Sequence, residues 1–173
     1  MTSRTLVTEF EDEFRNIKRA CEKAISQIDD GSLHAKINAE QNSVAVVIQH
    51  VGGNLVSRFT DFLTADGEKP GRNREGEFED RQLSRSQLME IWERGWSCLL
   101  TAIAPLTDAD LSKTAMIRKE PHSVHKALLR AATHLSWHAA QFAMIGKHFK
   151  GTDWKYLTIP PKQSGDFNQS KGL

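Results

Sequence analysis

The sequence predicts an all-α protein built as a four-helix bundle. Four stretches carry apolar residues at steps of three and four, the period of an amphipathic helix. The segments between them are rich in glycine, proline and charge, as connections are. With 39% apolar and 26% charged residues over 173 positions, the chain has ordinary globular composition, enough to bury one core without staples. A single domain over 1–173 is expected, since about 100–200 residues is the usual unit.

The first helix is placed at 4–28, where Leu6, Phe10, Phe14, Ile17, Ala20, Ala24 and Ile28 share one face. Asp29-Asp30-Gly31 stops it, because glycine tolerates left-handed C-cap geometry. The second helix starts after Ser43, a good N-cap, and continues through Val47, Val51, Leu55 and Phe59 to Phe62. Gly52-Gly53 in its middle costs about 1 kcal/mol per glycine relative to alanine, which calls for close approach by a neighbour, by a ligand or by a crossing helix.

Residues 64–82 read as a long polar connection, with Gly67, Gly71, Gly76 and Pro70 among charges of both signs. Loops of this length in small domains are often functional. The third helix covers 84–103, with Leu88, Trp92, Trp96, Leu99 and Ile103 on a broad apolar face and Pro105 beyond its end. Residues 106–120 form a second connection, extended around Thr114 to Ile117. The fourth helix runs from Ser123 to His148 and is closed by Gly151. The segment from about 150 to 173 contains two adjacent prolines and turn residues, and reads as an irregular strap rather than a fifth helix.

Charge excludes some functions. Lys and Arg number 23 against 22 Asp and Glu, a formal charge of +1, and no single-sign block offers a counterion-release footprint for nucleic acid. Cys21 and Cys98 are far apart and form no CxxC pair, so neither a disulfide framework nor a cysteine zinc knuckle is indicated, and both read as core thiols. No apolar stretch approaches the roughly 20 residues of a membrane span, and the first residues lack the apolar run of a signal peptide. A cytoplasmic protein is expected.

His134 and His138 lie four residues apart, so on a helix they share one face and can grip one ion. Both border the stripe of Leu128, Leu135, Phe142 and Ile145 and should look inward. On the second helix His50 borders Val47, Val51 and Leu55, so a third imidazole can face the pair. Three neutral imidazoles around a divalent ion would leave positions open for water or substrate. Asn54 and Gln141 are candidates for orienting these rings or a bound water, because ligand histidines need their other nitrogen fixed. His122 and His125 sit at the start of the fourth helix, His125 facing away from His134; His34 falls in a linker and His148 at a helix end, so none joins the site. Trp92, Trp96 and Trp137 read as packing residues.

The strings QHVGGN, with His50 and Asn54, and HLSWH, with His134 and His138, resemble the DinB-like (DinB/YfiT) superfamily of helical metalloproteins over nearly the whole chain. The loop DGEKPGRNREGEF and the tail W-x-x-L-T-I-P resemble a branch of uncharacterised bacterial proteins within it; the tail continues PKQS where that branch is expected to carry a basic-glycine pair. The resemblance implies an antiparallel bundle, a homodimer, and zinc or nickel held by His50, His134 and His138. It also implies chemistry with a low-molecular-weight thiol, as in thiol S-transferases and thiol-dependent maleylpyruvate isomerases.

The leading reading is thus a metal-dependent thiol transferase, in which the ion favours the thiolate and Arg72 and Arg74 hold carboxylates of the cofactor. A metal-dependent hydrolase is the alternative chemistry, but no acidic residue falls beside the histidines on the second or fourth helix to act as general base. A metal-stabilised binding bundle without turnover is the alternative of a different class.

Overall fold

The computed structural model describes residues 5–172. Residue 4, where the first helix was expected to begin, and the remaining terminal positions lie outside the described residues. The protein is mostly helical, with helices α1 (Leu6–Ile25), α2 (Val44–Phe59), α3 (Arg85–Ile103), α4 (Val124–Lys150) and α5 (Ser164–Ser170), and strands β1 (Thr114–Ile117) and β2 (Glu120–Ser123). No helix among the described residues is long and apolar enough to cross a membrane.

Each long helix starts where its capping residue stands. Ser43, Ser84 and Ser123 accept from the backbone N–H groups of Val46, Gln87 and Lys126, and Thr5 with Thr8 closes a capping box on α1. These caps satisfy donors that a helix leaves orphaned in its first turn. The helix α2 stops at Phe59, short of the expected Phe62, because Thr60 is extended and Asp61 turns to φ 50°. At the far end of α4, Gly151 takes φ 56°, a value its missing Cβ permits.

The element α2 is the central one: from Val44 through Gly52 every residue is buried, and it packs along α3. The helices approach backbone to backbone, since a Cβ on Gly52 would stand 2.7 Å from the Ile91 carbonyl oxygen, and one on Gly95 would stand 2.8 Å from the Gly52 Cα. Helix α1 lies against α4, and α2 and α4 also touch. Phe14, Trp92, Trp96 and Phe142 are fully buried between them; burial of each large apolar side chain contributes roughly 1.5–3 kcal/mol. Leu6, assigned to the apolar face of α1 from its spacing, is exposed, and Val7 is buried instead.

The extended segment expected near Thr114 is β1, and it pairs with β2 in an antiparallel hairpin from Thr114↔Ser123 to Ile117↔Glu120. Its turn residues Arg118 and Lys119 both have positive φ, as a two-residue hairpin requires. Asp66 anchors that turn to the 64–82 connection by accepting from the N–H groups of Arg118 (2.8 Å) and Lys119 (2.6 Å). Gly67 N–H adds a bond to the Met116 carbonyl at 2.8 Å.

The tail departs from expectation. Trp154 is buried against Gly146, where a Cβ would stand 2.9 Å from the indole Cη2. Beyond the two prolines, however, Ser164–Ser170 forms the short helix α5; proline blocks continuation of an earlier helix but not initiation of a new one downstream.

Candidate metal centre

Helices α2 and α4 bring His50, His134 and His138 together. His50 Nε2 lies 3.3 Å from His134 Nε2, and His138 Nε2 lies 3.0 Å from the same atom. One nitrogen from each residue falls within 4.8 Å of the others. His50 is buried, and the other two are partly so.

The outer ring nitrogens decide what the inner ones can do. His50 Nδ1 donates to Glu77 Oε2 at 3.0 Å, since a carboxylate can only accept; in the neutral tautomer this leaves the Nε2 lone pair facing His134. His138 Nδ1 donates to Gln141 Oε1 at 2.7 Å, with the same consequence. Burial, followed by the neighbouring His138 and His50 and by Arg58 and Arg72, pulls the His134 pKa down to about 3. Burial lowers His138 as well, against the raising effect of Gln141. Three ring nitrogens therefore converge at close range, with either a His134 N–H or a cation able to stand between the facing lone pairs.

The donor set fits a divalent ion. Ligand nitrogens about 2.0–2.1 Å from a tetrahedral ion are about 3.3–3.4 Å apart, close to the two separations observed. Fixed outer nitrogens are what such ligands need. The three histidines can thus hold a metal ion, with two of the rings already oriented.

Glu77 was not visible as a site residue in the sequence, because it lies 27 positions from His50, in the 64–82 connection. Neither α2 nor α4 places an acidic residue beside the histidines; the carboxylate that reaches them comes from the loop. Arg72, whose side chain is 5% exposed, grips Glu77 through Nε and Nη2, both at 2.8 Å. Burial would raise the Glu77 pKa, but hydrogen bonds from His50 and Arg72 outweigh it and hold the group ionised. Phe78 adds its ring 4.5 Å from the His50 ring. The only signal for this in the sequence was Gly53, where a Cβ would stand 2.8 Å from the Glu77 Cδ.

The remaining candidates fall as follows. Asn54 faces the cavity beside the histidines, and the orienting role at His50 belongs to Glu77. Gln141 stands on His138. Arg72 is engaged by Glu77, while Arg74 pairs with Glu75 at 3.1 Å and lies over the Phe78 ring; both arginines also border the cavity. His34 bonds Asp80 and the Leu83 carbonyl, and His125 meets Phe10, both away from the centre. Trp137, read as a packing residue, is 69% exposed and stands at the cavity edge. It occupies the position before His138, and that step on α4 carries it out of the core. Cys21 is buried as expected, and Cys98 is half-buried.

Comparison with known proteins places these features. No curated protein matches the chain. Residues 1–163 match a family described as proteins of unknown function, DUF1572, a span that includes every residue of the histidine centre and its Glu77 support. This chain belongs to the DUF1572 family.

Proposed function

We propose that this protein is a DinB-like metalloenzyme: an antiparallel four-helix bundle, acting as a homodimer, in which His50, His134 and His138 hold zinc or nickel for transfer of a low-molecular-weight thiol to an electrophile. The observation that carries the reading is the convergence of the three imidazole nitrogens, with two of their outer nitrogens tethered by Glu77 and Gln141. Contacts of α2 with α3 and α4, and of α1 with α4 and α3, support the bundle.

When bound, a divalent ion supplies the Lewis acidity that favours a thiolate over a thiol near neutral pH. The chain's own residues position and shelter. Glu77 and Gln141 hold the rings of His50 and His138 in place, and a cavity of about 480 Å³ adjoining His50 and His134 admits a small molecule. In the transfer, the thiol gives its proton to solvent and its sulfur forms a bond to the electrophilic carbon. The displaced electron pair leaves with the leaving group or takes up a proton at the neighbouring carbon. No protein nucleophile is required, in keeping with the burial of Cys21, whose thiol is pushed up to about 12 by burial and then by Glu22. Hydrolysis is less well supported, because Glu77 stands on the Nδ1 side of His50 and is already bound by Arg72, so it is poorly placed as a general base.

The test is the metal content of untagged protein, wild type against His134→Ala, followed by conjugation of a small thiol to an aryl halide. About one equivalent of metal in wild type and none in the variant, with conjugation lost in parallel, is the expected result. Absence of metal after incubation with zinc and nickel would overturn the reading.

A further inference from the structure

Two helices carry the same ladder toward the histidines. On α2, His50, Asn54 and Arg58 follow at intervals of four; on α4, His134, Arg130 and Lys126 do so in the opposite chain direction. Four residues advance a helix by about 6 Å, so the outermost cations stand about 12 Å along the axis from their histidine. Since His50 meets His134 and all six of these residues border one cavity, both ladders face the same space.

That cavity is cationic. Arg58, Arg72, Arg74, Arg118, Lys126 and Arg130 line it, and no acidic side chain does among the described residues. Four of the six have carboxylate partners nearby: Glu68 takes Arg58 at 3.2 Å and Arg118 at 3.0 Å, Glu75 takes Arg74, and Glu77 takes Arg72. The side chains of Lys126 and Arg130 have no partner among the described residues. Arg58 Nη1 has no hydrogen-bond partner among the described residues, a costly state for a guanidinium donor unless water or a ligand in the cavity completes it. The cavity also has apolar walls: Ala127 and Ala131 between the α4 cations and His134, buried Phe59 and Phe62 just past Arg58, and the exposed Trp137 just past His134.

We propose that this cavity binds an amphipathic anion. Its carboxylate or phosphate is held by Arg58, Lys126 and Arg130 beside the Phe59 and Phe62 rings, its apolar part runs along Ala127 and Ala131, and its other end reaches the histidines and Trp137. The reacting role of that end rests on the thiol-transfer reading, whereas the anion site stands on the cavity alone. Arg72 adds to the positive potential but is held by Glu77, so the head group belongs to the α2 and α4 cations.

The test is calorimetric titration of the full chain, zinc-loaded and chelator-treated, with 4-phenylbutyrate, 3-phenylpropyl phosphate and the neutral 4-phenylbutyramide. At least one acid is expected to bind and the amide to bind far more weakly, with the tighter acid identifying the head group. Arg130→Gln and Lys126→Gln, both at exposed positions of α4 and checked for helicity, should each weaken the acid by about tenfold. Equal binding of acid and amide, or unchanged acid affinity in the double variant, would overturn the proposal. Metal retained without acid binding overturns the anion site alone. Acid binding by a protein that never takes up metal supports the anion site and overturns the metal reading.

Discussion

Glu77 accepts a hydrogen bond from His50 Nδ1 at 3.0 Å while Arg72 grips the same carboxylate from the other side at 2.8 Å. One buried loop carboxylate thus joins a surface connection to the ring that faces His134. If the pair orients a metal ligand, Glu77→Gln should weaken zinc affinity by about 10–100-fold, read by competition with a chromophoric chelator. Glu77→Ala leaves Arg72 buried with only Glu68, at 3.5 Å, and should cost on the order of 3 kcal/mol in urea unfolding. Adding Arg72→Met should recover stability without recovering affinity.

The adjacent glycines of α2 are expected to behave differently. Alanine at Gly52 would meet the Ile91 carbonyl and the α3 backbone, which cannot yield, so Gly52→Ala should destabilise by about 1–3 kcal/mol despite the better helix propensity of alanine. At Gly53 the obstacle is the end of the Glu77 side chain, which can swing away. Gly53→Ala should therefore weaken metal binding by displacing Glu77 from His50, and should have no further effect on affinity once Glu77 is already alanine. A Gly53→Ala protein that binds metal as tightly as wild type would contradict this division.

Burial of Cys21, with the Glu22 carboxylate second, raises the thiol from 9.0 to about 12. A raised pKa means that the folded state holds its proton longer than the unfolded state. The contribution to stability is complete below pH 9.0 and is lost as pH rises toward about 12. Urea midpoints at about pH 8 and about pH 10.5 should fall more in wild type than in Cys21→Ala. A charged aromatic disulfide should label Cys98 in the native protein and Cys21 only on unfolding.

Lys119 sits at φ 63° in the hairpin turn, where its Cβ is strained and its N–H serves Asp66. Lys119→Gly keeps the N–H and removes the strain, so a gain of about 0.5–1 kcal/mol is expected, visible as a higher melting temperature. A lower one would show that the lysine side chain stabilises the turn.

Much of this protein was legible along the chain because helices write themselves in local terms. The periods of α1 to α4, the serine cap at Ser43, and the stop at Gly151 depend on residues within a few positions of one another. The same periodicity put His134 beside His138 and turned His50 inward. The short α5 was missed because its prolines precede the helix rather than interrupt it, and Trp137 was misplaced because an aromatic at helical spacing carries no mark of which side of the stripe it occupies. What only the tertiary structure decided is the company these residues keep. The approach of α2 to α4 sets the 3.3 Å between His50 and His134, and the return of the 64–82 loop sets Glu77 and Arg72 behind them. The two ladders of cations facing one cavity also arise only when α2 and α4 are packed. Backbone hydrogen bonding and side-chain period act over a few residues, whereas these contacts join positions tens of residues apart, and the packing of the whole core selects them.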